Sequence, residues 1–145
     1  MPELMVVVGI VAVLAAIGLP TLLSYYRAST LTAGAQELQA ILNAGRQLAI
    51  NQNAWVCVEQ AGTRVRFRPA SAPNNCTGPP WTGPGTDSGG WMSLTNGVRI
   101  TAATANVIFN YLGAAAQTGA YTVQNPMNNG TTTVTVVASG RITIP

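Results

Sequence analysis

The sequence has no histidine and no lysine, and only four of its 145 residues are Asp or Glu. Without histidine, the chain cannot form a His-ligated zinc site or use histidine as the general base in catalysis. Two cysteines are too few for an all-cysteine tetrahedral metal site. Four carboxylates leave little for a hydrolase dyad or a calcium site. We therefore expect a protein that is not an enzyme and that binds no metal or cofactor.

Charge of both signs is scarce. Charged residues make up 8% of the chain, against roughly 25% in ordinary soluble domains. The seven arginines give a net charge of +3, which is a weak indication of an anionic partner and far from a nucleic-acid-binding signature. The length is nevertheless enough for one domain with a proper core.

A long apolar segment opens the chain instead. Every residue from Leu4 to Leu19 is apolar or Gly, and the segment continues past Pro20 to Leu23. As a helix, its 20 residues measure about 30 Å, enough to cross the hydrocarbon core of a bilayer. The Tyr25–Arg27 segment that follows is typical of an anchor at the membrane interface. A plain single-span anchor and a secretory signal peptide are the alternatives, but the basic region expected of a signal peptide does not precede the segment.

Two features of the segment are unusual for a plain anchor. Glu3 places a carboxylate at the mouth of an otherwise uncharged apolar helix. At a helix centre such a charge costs about 2.5–3.5 kcal/mol, and less near the interface, so a partner charge on another molecule explains it best. Pro20 removes one helix hydrogen bond and is expected to kink the helix, and Gly9 and Gly18 weaken the same stretch.

The segment from Glu3 to Pro20 resembles the N-terminal helix of type IV pilins and type II secretion pseudopilins. The spacing of 17 between Glu and Pro is similar to that of the family, as is the Tyr-Tyr-Arg that follows. Family members carry a short leader ending in Gly and then Phe-Thr-Leu-Ile before the Glu, whereas only Met1 and Pro2 precede Glu3. By the family spacing, the mature first residue would lie two positions before Met1. Either the start is mis-assigned or trimmed, or the subunit is processed differently.

The resemblance implies a subunit that waits in the bacterial inner membrane with its helix spanning the bilayer. Assembly machinery then extracts it into an extracellular pilus or a periplasmic pseudopilus, whose core is a bundle of such helices. Glu3 would pair with the N-terminal amine of a neighbouring subunit. Gly9, Gly18 and Pro20 would mark where the helix can lose hydrogen bonds, and the glycines would alternatively allow tight helix packing.

The rest of the chain changes its hydrophobic period once. Apolar residues within 31–49 recur every three or four positions, which predicts one helix over about residues 4–50. Beyond it the period is two, as in strands. We predict an α+β fold, the pilin "lollipop", with a long N-terminal helix packed on an antiparallel β-sheet domain. Its parts are a transmembrane or filament-core helix (1–27), an amphipathic helix continuing into the domain (28–53), and a β-rich domain (54–145).

Eight strands are predicted in the β-rich part because Val, Ile, Thr and aromatic residues alternate there between Gly, Asn and Pro. Asn96-Gly97 and Asn129-Gly130 are turn signals, and Pro69 to Gly90 is predicted to be a long loop. The predicted strands cover residues 54–59, 63–68, 91–94, 97–101, 106–110, 120–123, 131–138 and 141–144.

A disulfide between Cys57 and Cys76 is expected to tie this loop down. Both cysteines lie in the part that, by the resemblance, leaves the cytoplasm, where disulfides persist. Closing the 18 residues between them is worth about 3 kcal/mol in the chain-entropy model. The alternative is two free, buried thiols.

The order of short segments in the second half is similar to the GspH/FimT group of pilin-like proteins. That group includes a type II secretion pseudopilin, minor type IV pilins that prime pilus assembly, and competence pilins that bind DNA. The resemblance therefore implies one of three roles: a pilus subunit, major or minor, a secretion pseudopilin, or a DNA receptor in DNA uptake. The matching segments are 44–53 running into 56–58, then 90–92, 108–113 and 136–142.

The DNA hypothesis depends on four arginines. Arg64, Arg66 and Arg68 should share one strand face at intervals of about 7 Å and could contact successive phosphates. The alternative, which we favour, is a solvated strand face whose charges keep an edge from aggregating. DNA-binding members of the group resemble one another in a Gly-Arg-x-Arg element. Here Gly140-Arg141 is followed by Ile142 and then Thr, so the second Arg is replaced.

Overall fold

One helix takes up the first third of the chain. The structure, a computed structural model, describes residues 2–145, and α1 extends from Pro2 to Gln52. The helix continues through Pro20 without a break. Its 51 residues correspond to a length of about 76 Å, so it extends far beyond the domain that packs on its second half. The helix predicted over residues 4–50 is confirmed.

Ten strands follow and form two antiparallel sheets. The first sheet has the order β3-β2-β1-β6-β7, with β4 also paired to β2, and the second has the order β10-β9-β8-β5. The strands are β1 (Val56–Ala61), β2 (Arg64–Ala72), β3 (Asn75–Cys76), β4 (Trp91–Ser93), β5 (Arg99–Ala103), β6 (Val107–Phe109), β7 (Ala115–Gln117), β8 (Gly119–Gln124), β9 (Thr131–Val136) and β10 (Ile142–Thr143). The α+β prediction, a long helix packed on antiparallel sheet, is confirmed.

Small residues bring α1 close to the sheets. Leu38 and Leu42 are fully buried at the centre of its inner face. At Gly45 an added Cβ would lie 2.9 Å from Phe67 Cε1 and 3.2 Å from Val58 Cγ2, closer than a side chain can fit without a shift. The helix contacts β1 and β6 of the first sheet and β8, β9 and β10 of the second, so both sheets close one core beneath it.

Polar side chains on α1 fix the domain in position. The carboxylate of Glu37 accepts hydrogen bonds from the backbone N–H and the hydroxyl of Thr95 and from Asn96 Nδ2, at 2.8–3.1 Å. Gln39 Nε2 donates to the carbonyl of Ile142 at 3.2 Å. The helix therefore holds the turn before β5 and the last strand by hydrogen bonds as well as by packing.

Tyr121 joins the two sheets from inside the core. It lies on β8 in the second sheet and is 1% exposed. Its hydroxyl accepts a hydrogen bond from the N–H of Val107 at 2.9 Å and donates to the carbonyl of Val58 at 3.3 Å, both in the first sheet. Burial raises the pKa of Tyr121 to about 12, and the bond from Val107 opposes that rise.

The disulfide between Cys57 and Cys76 is confirmed. It joins β1 to β3, with the two Cα atoms 5.6 Å apart. The prediction that residues 69–90 form one long loop is wrong at its start, because β2 continues to Ala72 and β3 follows at once. The N–H that Pro69 lacks is not needed by the ladder here, and the next residue, Ala70, donates to the carbonyl of Trp55 at 3.0 Å.

Two strands, β3 and β7, are absent from the prediction, and the other predictions hold within a few residues. None of the eight predicted strands covers strand β7 (Ala115–Gln117). Its three residues are too few for an alternating pattern to show. They pair with β6 through the turn that Asn110 closes, where its side-chain oxygen accepts from the N–H groups of Leu112 and Ala114.

Replacing Tyr121 by Phe is expected to destabilise the domain and to change how its stability depends on pH. Because the folded pKa lies above the unfolded value of 10, the contribution of the neutral phenol is complete below pH 10 and is lost as the pH rises to 12. That loss is on the order of 3 kcal/mol. Tyr121→Phe should cost about 1–3 kcal/mol at pH 7 and flatten the fall between pH 10 and 12 in urea titrations.

Tyr111→Phe is the matched control, because the Tyr111 side chain is exposed. It should leave the stability at pH 7 unchanged. An alkaline slope that is the same in wild type and Tyr121→Phe would contradict the role given to this phenol.

Candidate functional site

The first half of α1 is an apolar surface that none of the described residues 2–145 covers. Between residues 4 and 23, thirteen large apolar side chains are 53–78% exposed. The first buried residue of the helix is Gly34. By length and composition α1 is able to cross a membrane, a criterion that a signal sequence also passes. Fully burying a side chain of this size is worth about 1.5–3 kcal/mol, so the segment as a whole strongly favours an external apolar partner.

The residues singled out in this segment all lie on its exposed surface. Glu3 is in the first turn of α1 and is exposed. At Gly9 and Gly18 an added Cβ would meet nothing within 4 Å, so contacts inside the chain do not require a glycine at either position. Because Pro20 has no N–H, the carbonyl of Ala16 lacks its usual donor. Unwinding the helix at this stretch therefore breaks one hydrogen bond fewer.

A hydrogen bond marks the level at which the domain meets the helix. Asn125, at the end of β8, is 1% exposed, and its Nδ2 donates to the carbonyl of Arg27 at 3.1 Å. Arg27 is the first charged residue after the apolar segment. The exposed apolar segment and the folded domain therefore meet within a few residues of one another.

The arginine row lies where the alternation predicted it, but it is mostly engaged inside the chain. Arg66 Nε donates to Glu59 Oε2 at 2.7 Å, and Arg68 Nη1 donates to Glu59 Oε1 at 3.1 Å. The guanidinium carbons of Arg66 and Arg64 lie 4.3 and 5.5 Å from the ring centroid of Trp91. One carboxylate thus neutralises part of the row, and an aromatic ring orders two of its members.

The idea that these charges protect a sheet edge is wrong. Strand β2 lies inside the first sheet, paired to β1 on one side and to β3 and β4 on the other. The structure also separates Arg141 from the row. Arg141 is exposed just before β10, at the edge of the second sheet, so the four candidate DNA-binding arginines occupy two sheets.

No protein-family model matches the chain, and no curated protein matches it in sequence. Among solved structures, it is similar to the minor pseudopilin EpsH of the Type 2 Secretion System of Vibrio cholerae. The TM-score is 0.56 at 13% identity, over 79% of this chain and 95% of that one.

It is also similar to the type IV minor pilin FimU of Pseudomonas aeruginosa. There the TM-score is 0.57 at 16% identity, over 83% of this chain and 92% of that one. A second crystal form of FimU gives a TM-score of 0.53 at 15% identity. The fold is that of the minor pilins and pseudopilins. The resemblance to type IV pilins and pseudopilins is thus confirmed at the level of the fold.

Several residues that build this arrangement were not found from the sequence. Asn125 and Glu37 each bond to a partner 58 or more residues away. Their only local signals are an Asn before Pro and a lone carboxylate on an amphipathic helix.

Within residues 2–145, no three His, Cys, Asp or Glu side chains come together as a metal site.

A glycine-to-alanine substitution is expected to destabilise the domain in the covered half of α1 but not in the exposed half. Gly45→Ala places a methyl group against Phe67 and Val58 and should destabilise the domain by about 1–3 kcal/mol. Gly18→Ala meets no atom of the chain and should favour the helix by up to about 1 kcal/mol. Urea unfolding in detergent, followed by tryptophan fluorescence, should show a lower midpoint for Gly45→Ala only. Equal midpoints would contradict the division.

Proposed function

We propose that the chain is a structural subunit of a type IV pilus or a pilus-like filament, inserted in the inner membrane before assembly and assembled through its N-terminal helix. One observation supports this most. A single helix is apolar and uncovered over residues 4–23 and is buried beneath two sheets further on. Such a subunit needs two environments in succession, lipid before assembly and neighbouring helices afterwards, and one apolar surface suits both.

The role of Glu3 in this proposal follows from its position. A carboxylate in the first turn of an apolar helix is costly in a helix bundle unless a positive charge meets it. The N-terminal amine of a neighbouring subunit would supply that charge. Because one residue of axial shift moves the helix by 1.5 Å, the pair would also set the axial register between subunits.

The two structural neighbours come from the two machineries that this proposal leaves open, a type IV pilus and a type II secretion system. Their TM-scores of 0.56 and 0.57 favour neither. We therefore propose the role that they share, a filament subunit. Expressing the chain separately in cells that make type IV pili and in cells that secrete by the type II system would distinguish them, because it should enter only its own filament.

Neutralising Glu3 is expected to block assembly without blocking membrane insertion. Glu3→Gln should reduce the chain in sheared filaments at least tenfold, while its amount in the membrane fraction stays the same. Glu3→Asp keeps the charge and should retain part of the incorporation. Asp87→Asn is the matched control and should assemble normally, because it removes a carboxylate of the domain but keeps the side-chain oxygen that accepts from the N–H groups of Gly89 and Trp91. Normal assembly of Glu3→Gln would overturn the charge-pairing role.

We propose DNA binding as the second candidate function, carried by Arg64, Arg66 and Arg68 with Arg141 as a separate contact. The observation that favours it is the stacking of two of these arginines on Trp91, because guanidinium groups beside an aromatic ring suit phosphates and unpaired bases. The ion pairs to Glu59 oppose it, since they already use part of the charge.

DNA binding is expected to be independent of sequence and strongly weakened by salt. Three phosphate contacts predict a slope of about −2.7 in log K against log salt. Changing Arg64, Arg66 and Arg68 together to Gln should weaken binding of a fluorescent duplex at least tenfold at low salt, measured by anisotropy on the full chain in detergent. Arg99→Gln is the control. No binding by the wild type at low salt would overturn this candidate.

A further inference from the structure

We propose that the loop between β8 and β9, residues 125–130, rests on the lipid surface beside the membrane end of α1 and inserts Met127 among the lipid headgroups. This inference depends on the proposed membrane insertion of residues 4–23. It adds a second membrane contact, made by the globular domain itself, and this contact would fix how the domain sits on the bilayer before assembly.

The loop is held at the right level. Asn125 is buried, and its side chain has two partners: Nδ2 donates to the carbonyl of Arg27 at 3.1 Å, and Oδ1 accepts from the N–H of Met127 at 3.0 Å. Its own N–H donates to the carbonyl of Gly130 at 2.9 Å and closes the loop. Met127 is therefore held by Asn125, whose side chain also bonds to the backbone of Arg27, the first charged residue beyond the apolar segment.

The chemistry of the loop suits a headgroup region. Met127 is 68% exposed, and Pro126, Asn128 and Asn129 beside it are also exposed. The sequence has no charged residue between Arg99 and Arg141, so no charged side chain of the loop or of its two strands has to lose water there. An apolar side chain flanked by amides is amphipathic, as are Tyr25 and Tyr26 at the same end of the helix.

Lipid is the occupant that the position favours. Residues 4–23 require an apolar environment that ends near Arg27, and the loop is bonded to the helix at that residue. A bilayer that covers the first surface therefore reaches the second with no further molecule. The contact needs no anionic lipid, because the loop has no charge to pair.

The opposite end of the domain supplies a matched control. Leu112 is 72% exposed, much like Met127. It adjoins Gly113, where an added Cβ would lie 2.8 Å from Ile50 Cδ1, so its turn lies beside the last residues of α1. Arg27 and Ile50 are 23 residues apart on one helix, which is about 35 Å. A bilayer that touches Met127 cannot reach Leu112.

The test uses the full chain in phosphatidylcholine vesicles with one fluorescent label per protein. Cys57 and Cys76 are joined, so Met127→Cys, Leu112→Cys and Val13→Cys each offer one free thiol for an NBD label. We expect lipids that carry a nitroxide at carbon 5 to quench position 127 at least twice as strongly as position 112. Lipids with the nitroxide at carbon 12 should quench position 13 most, which reports the helix independently.

Each outcome decides a different statement. Quenching at 13 with equal, weak quenching at 127 and 112 would overturn the lipid contact and leave the proposed function standing. No quenching at 13 would overturn the membrane insertion and this inference with it. An NBD signal at 127 that changes with the protein-to-lipid ratio would mean that a second copy covers the loop, which also overturns the contact with lipid.

Discussion

The structure depends on one constraint: the domain covers only half the length of a single long helix. The second half of α1 buries Leu38 and Leu42 under both sheets, whereas residues 4–23 leave thirteen large apolar side chains exposed. Their burial is worth on the order of tens of kcal/mol, more than the 5–15 kcal/mol by which a typical domain is stable. The external partner of this helix therefore dominates the energetics of the protein, and its function follows from which partner it has.

The domain is built to hold its position on that helix. Glu37 and Gln39 bond the turn before β5 and the last strand to α1, Asn125 bonds the β8–β9 loop to Arg27, and Tyr121 joins the two sheets. Because these bonds fix the domain on α1, the position of the helix also determines where the outer surface of the domain lies. The scarcity of charge suits the proposed filament, because surfaces with little charge repel one another weakly.

Much of this arrangement could be predicted from the sequence because it rests on local patterns. The helical face within residues 31–49 and the alternation of Val65 and Phe67 with arginines report burial in the domain directly, whereas the apolar run predicts a helix that needs an apolar partner. Strand order is not a local property, so the charges of β2 favour an edge strand in the sequence although β2 lies inside a sheet. Strands β3 and β7 were missed because two or three residues carry no period. The bonds of Asn125 and Glu37 join distant residues and depend on the finished fold.

Vesicle flotation tests most directly whether the uncovered half of α1 binds lipid. The full chain and a fragment of residues 28–145 would each be mixed with phospholipid vesicles and centrifuged through a density gradient, with the disulfide and near-ultraviolet circular dichroism checked in every fraction. The full chain should float with the vesicles and resist carbonate extraction, while the fragment stays at the bottom, folded and monomeric. A full chain that remains soluble and monomeric without lipid or detergent would contradict the account.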